Sequence, residues 1–145
     1  MSEAKQNNYL AAVIGAGPAG LYASHYLARR GVQVVLFNRD IKPGGLAEYG
    51  IFPDKHKLRK GLMKQFKRIL EMPGVAYLGN LTIGKSGDIT IDQLRRLGFQ
   101  AFMVTTGAQS NNWLGLPGED LEGVYQANNI VFHYNRLPHR TEIAL

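Results

Sequence analysis

The chain has 145 residues, 45% of them hydrophobic and 19% charged, with no cysteine. That composition fits one globular domain large enough to bury a core, and it excludes a disordered chain, disulfides, thiolate metal sites and cysteine redox pairs. Seventeen basic residues against eleven acidic give a net charge of +6.

The opening, MSEAKQNNYLAAVIGAG, carries too short an apolar run for a signal peptide or for a span, which needs about 20 apolar residues. No membrane association and a cytosolic location are expected. Tyr9 to Ile14 reads as a buried strand running into Gly15. Pro18 to Arg30 reads as a helix, with Leu21, Tyr22, Leu27 and Ala28 as its apolar positions and Gly31 as its stop. Val32 to Phe37, VQVVLF, is a β-branched second strand. These three form a strand–helix–strand unit, so the strands are expected to be parallel.

Further on, KPGG at 42–45 is a turn. Leu58, Leu62, Phe66, Ile69 and Leu70 fall at helical spacing, with Asp54 as the expected N-cap and Pro73–Gly74 as the end. Seven of the basic residues, Lys55, Lys57, Arg59, Lys60, Lys64, Lys67 and Arg68, lie along this helix with only Glu71 to offset them. Such a face attracts an acidic protein, a phosphorylated ligand or nucleic acid, or is simply solvated. Val75 to Gly84 is strand material broken at Gly79–Asn80. Thr90 caps a short helix ending at Gly98, and Phe99 to Gly107 reads as a buried strand. Residues 115–120 are loop, and Ala127 to Leu137 is a last helix.

The chemistry-bearing motif is Gly15, Gly17 and Gly20, spaced G-x-G-x-x-G between the first strand and the first helix. The first glycine permits the tight turn, the second lets backbone amides approach a pyrophosphate, and the third lets helix and strand pack closely. An anion there faces the positive end of the helix and its unsatisfied N–H groups. The motif by itself does not choose between NAD(P) and FAD. The acid expected to grip the ribose, about 20 residues on, is missing: Asn38 stands at the strand end. Its amide oxygen can accept one hydroxyl without charge assistance, Asp40 can substitute if the loop turns inward, or Asn38 merely caps the strand.

The residues that follow are more specific. PGGL at 43–46, PDKHK at 53–57, GNLTIG at 79–84, TTGAQS at 105–110 and LPGEDLEGV at 116–124, in this order, resemble the FAD-binding part of adrenodoxin-reductase-type ferredoxin–NADP⁺ reductases. The resemblance runs from about Tyr9 to Asn135. It implies an α/β fold, a Rossmann-like parallel sheet with flanking helices, and residues 1–145 as part of an FAD-binding domain. That domain is expected to be incomplete, without the NADPH-binding domain and the C-terminal return segment; Gly115, Gly118 and Gly123 are too widely spaced to be a second fingerprint.

The resemblance also implies roles. Gly15, Ala16, Gly17, Pro18, Ala19 and Gly20 would hold the FAD pyrophosphate, and Asn38 stands where the family usually has Glu for the ribose. Gly45 and Leu46 would pass beside the flavin, Ile83 would meet the adenine through its backbone, and Gly107 would approach near the pyrophosphate. Ile83 and Leu46 are equally credible as core residues. Many members have His directly after the Asp of the P-D motif; here Lys55 holds that position and His56 follows, so no catalytic residue is named. His25, His133 and His139 show no metal-ligand spacing.

The implied activity passes electrons from NADPH through FAD to an acidic, ferredoxin-like iron–sulfur protein, with the isolated chain inactive, its FAD weakly held and its uncovered apolar surface prone to self-association. A glutamate-synthase-small-subunit-like flavoprotein is the runner-up, and a non-catalytic nucleotide- or partner-binding module is the reading from another class. Nucleic acid is not an expected partner, because Phe66 sits on the apolar stripe and not among the lysines.

Overall fold

A computed structural model describes residues 9–108 and 110–136. Strands β1 (Leu10–Ile14), β2 (Gln33–Phe37), β3 (Val75–Leu78) and β4 (Ala101–Val104) form one parallel sheet in the order β3-β2-β1-β4. Val13 pairs with Leu36 and with Met103, while Leu36 pairs with Tyr77. The central strands are apolar at every position except Gln33, which opens β2, because both faces of the sheet are covered. Val13, Val34 and Leu36 point to one face, where helices α1 (Pro18–Ala28) and α3 (His56–Leu70) bring Leu21, Phe66 and Ile69 into the main core. Ala12 and Phe37 point to the other, against Leu94 of helix α4 (Ile91–Arg96), with Phe99 and Phe102 alongside. This alternation is the period of two that a strand imposes. Glycine ends helix α1 at Gly31, whose φ of 80° suits the left-handed cap, and Thr90 and Gln93 form a reciprocal capping box at α4.

The structure corrects three sequence expectations and adds one element. Asp54 does not cap α3: Pro53 opens a 3₁₀ turn over Pro53–Lys55, so the α-helix starts at His56 with Lys55 before it and no side-chain cap. Leu58, expected on the apolar stripe, is exposed, whereas Phe66 and Ile69 further along α3 are buried, so the core covers only the later part of the stripe. The last strand is an edge strand, and Met103 and Val104 are exposed where a buried strand was expected. Residues 46–49 form a short helix, α2 (Leu46–Tyr49), that four residues cannot advertise by periodicity. Helix α5 spans Ala127–Tyr134, and Leu137 of the expected last helix lies outside the described residues.

Candidate dinucleotide site

The strand-end of β1 turns sharply at Gly15, whose φ of 107° an L side chain rarely adopts. A Cβ there would also lie 2.6 Å from the Thr105 carbonyl oxygen. Gly20 sits in the first turn of α1, where a Cβ would overlap the Gly15 carbonyl oxygen, so helix and strand touch through backbone alone. Gly17 is different. Nothing lies within 4 Å of the position its Cβ would take, and it is the N-cap of α1 with no side-chain cap and Pro18 next. The three glycines therefore divide between turn, open floor and close packing.

Above Gly17 lies a crevice of about 750 Å³, within the roughly 300–1,000 Å³ of small-molecule sites. It opens beyond the carboxyl ends of β1, β2 and β4, where parallel α/β sheets receive ligands. Gly15, Ala16, Gly17, Pro18 and Ala19 form its floor. Gly45 and Leu46 enter from the side: a Cβ on Gly45 would stand 3.0 Å from Gly17 Cα, and the Gly44 amide donates to the Ala16 carbonyl at 2.7 Å. Gly107, at φ 69° with nothing within 4 Å of its would-be Cβ, closes the β4 side. Ile83 lines the crevice and also packs against the Phe37–Leu94 cluster, held in place by a parallel bridge to Ile89. Of the expected site residues, Gly20 alone does not line the crevice; it is spent on packing.

Asn38 lines the crevice as well, yet it is 9% exposed and turned into the protein. Its Oδ1 accepts the Ala16 amide at 3.1 Å, and its Nδ2 donates to the carbonyls of Asp40 at 2.9 Å and Lys42 at 3.1 Å. Tyr77 donates to the carbonyls of Asp40 and Ile41, and Tyr49 to that of Lys42. Burial raises the Tyr77 phenol above its ordinary value against the lowering effect of Asn38, with the Asp40 charge adding to the rise. Burial, then Asp40, raises Tyr49 too. Both phenols therefore stay protonated donors at neutral pH.

Sequence reasoning missed the far wall. Thr105 donates from its hydroxyl to the Gly15 carbonyl at 2.8 Å and ties the end of β4 to the glycine turn. Asn128, Asn129 and Phe132 of α5 also reach the crevice, with Asn128 donating to Asn111 at 2.7 Å. No periodic signal marks a polar helix face as a crevice wall; that depends on where α5 docks, which Asn135 fixes through the carbonyls of Tyr49 and Ile51. His56 is exposed at the start of α3 and does not line the crevice. Among the described residues, no group of three metal-ligand side chains comes together and no helix is long and apolar enough to cross a membrane.

Comparison with known proteins follows the same lines. A family model described as an NAD(P)-binding Rossmann-like domain matches residues 13–66. The NADPH:adrenodoxin oxidoreductase of Salvelinus fontinalis, named as mitochondrial, is 36% identical over 133 residues, 90% of this chain and 26% of that protein. The chain is a homologue of part of the adrenodoxin-reductase-type family. The Homo sapiens member is 34% identical over 90% of the chain. A Mycobacterium tuberculosis structure, FprA in complex with NADPH, superposes with a TM-score of 0.84 at 29% identity, covering 94% of this chain and 31% of that one. The chain thus spans about a quarter of the length of the curated relatives it matches. The Rossmann-like parallel sheet with flanking helices is the fold that the sequence led one to expect.

Proposed function

We propose that this chain is the FAD-binding part of an NADPH-dependent oxidoreductase that delivers electrons to an acidic, ferredoxin-like iron–sulfur protein. The observation that carries the reading is the open floor at Gly17. An uncapped helix N-terminus, with Gly15 and Gly20 free of side-chain bulk, faces a crevice of about 750 Å³. In this reading Gly15 to Ala19 orient the diphosphate, Gly45 and Leu46 flank the flavin end, the backbone at Ile83 meets the adenine, and Gly107 closes over the pyrophosphate. The FAD, when bound, supplies the step from two-electron to one-electron chemistry; the protein supplies position and electrostatics. The nicotinamide unit and the segment that closes the flavin site are assigned to parts of the parent protein outside these 145 residues. The exposed bases of α3, with Lys57, Lys60 and Lys64 foremost, supply the field that draws an acidic partner.

Absorption spectroscopy of the purified chain titrated with FAD, with mass spectrometry of any small molecule it releases, tests the reading. Weak FAD binding that Gly17→Val abolishes is expected. A chain that binds neither FAD nor adenosine diphosphate would overturn it. With FAD, NADPH and an acceptor supplied, turnover no greater than that of unbound flavin is expected. A cytosolic location is proposed for the parent protein, and cell fractionation checks it against the mitochondrial names of several relatives. Identity of 35% over 116 residues to the NADH glutamate synthase of Schizosaccharomyces pombe favours a second reading, a glutamate-synthase-type flavoprotein. Assaying the parent protein with ferredoxin against glutamine and 2-oxoglutarate separates the two.

A further inference from the structure

The strand-end position that should present an acid to the ribose holds an amide, and the structure shows that amide already in use. Asn38 accepts from Ala16 and donates to both Asp40 and Lys42, while its backbone N–H and carbonyl pair with Leu78 and Leu81. A carboxylate at this position would lose both donors and push against two carbonyl oxygens. The 38–42 loop is built around an amide, and at 9% exposure Asn38 has little surface left to offer a ligand.

The same bonds aim the loop. The Asp40 carbonyl receives Asn38 Nδ2 at 2.9 Å, Tyr77 Oη at 3.2 Å and the Asn80 amide at 3.3 Å. Three donors on one carbonyl fix where the Asp40 side chain starts. Among the described residues that line the crevice, Asp40 is the one carboxylate and Arg39 the one cation. The two lie 3.7 Å apart, so the Arg39 guanidinium stands beside the acid and offsets its charge.

Building on the proposed nucleotide reading, we propose that Asp40 is the acid that receives the ribose hydroxyls, and that Asn38 is a positioning residue that holds Asp40's loop against the glycine turn. The acceptor has moved two residues along the chain, and the amide left behind became the strut. A charged acceptor gives a ribose hydroxyl a stronger bond than an amide oxygen gives.

Ligand-observed NMR on the full 145-residue chain tests this with adenosine diphosphate and its 2′,3′-dideoxy counterpart. The wild type should prefer the diphosphate with hydroxyls by about ten-fold, the usual scale for hydrogen bonds to a charged group. Asp40→Ala, which leaves no acceptor, should reduce that preference to less than about two-fold, and Asp40→Asn should lower it by a smaller factor, while circular dichroism reports an intact fold. Asn38→Asp should weaken both ligands and leave the preference no larger than in the wild type, because it deletes the strut's donors. A preference retained in both Asp40 variants, or raised by Asn38→Asp, overturns the proposal and returns the role to the strand end. If the wild type binds both diphosphates equally, the hydroxyls are not read and the inference falls while the nucleotide reading stands. Should it bind neither, the nucleotide reading itself has failed and takes this inference with it.

Discussion

In the β1–α1–β2 unit Val13, Leu21 and Leu36 have no exposed surface, whereas in the stretch after β4 Trp113, Leu114 and Leu121 expose 63%, 77% and 65% of theirs. The first region is covered on one face of the sheet by α1 and α3 and on the other by Leu94 of α4. The second is a run of turns, anchored by Glu119 to the amides of residues 114–116 and by α5 to the carbonyls of Tyr49 and Ile51. Stability in this chain is therefore concentrated where the glycine turn is made, and the crevice borrows a firm floor and a lightly held wall.

The sharpest way to break the contrast is to attack the buried region. Phe66→Ala, which empties a site 2% exposed between α1 and the sheet, should cost about 3–5 kcal/mol in urea unfolding. Gly20→Ala should cost about 2–3 kcal/mol, because its Cβ meets backbone that cannot step aside. Gly17→Ala should leave the unfolding midpoint almost unchanged, since open space surrounds it. A Gly17→Ala chain as unstable as Gly20→Ala would show that the floor is not open and would end the nucleotide reading.

Smaller effects belong to the loop region. Asn38→Ala leaves the buried Ala16 amide without its acceptor and should cost about 1–3 kcal/mol. By contrast Trp113→Ser with Leu114→Ser should stay within about 0.5 kcal/mol of the parent per site, yet reduce self-association in light scattering. Unchanged association would put the sticky surface elsewhere. The mildest probe is pH. The Leu114 amide, against a smaller opposing desolvation and with help from Gly115 and Leu116, holds the Glu119 carboxyl below its ordinary 4.5. A carboxyl depressed on folding stabilises above its unfolded value, and that contribution is lost as pH falls through the folded one. Trp113 fluorescence should therefore change on acidification below 4.5, and Glu119→Gln should remove that step. A step that persists in the variant assigns it to another group.

Part of the site was legible because its physics is local. Gly15, Gly17 and Gly20 announce a strand-to-helix turn through their own conformational needs, and Thr90 announces a cap. Asn38 was legible as a departure but not as a strut, because its partners Lys42 and Tyr77 reach it only through the loop and through β3. The exposure of Leu58 and of β4 was equally hidden: spacing reports which residues share a face, not whether another element covers that face.

By itself the sequence determined the parallel β1–α1–β2 unit, the glycine turn and the apolar runs of the two central strands, since each rests on backbone sterics or on side-chain character over a few residues. Tertiary structure alone decided that Asn38 turns inward, that Thr105 ties β4 to the turn and that α5 supplies a wall. Those outcomes depend on hydrogen bonds between residues as much as 91 positions apart, and no local rule encodes such a distance.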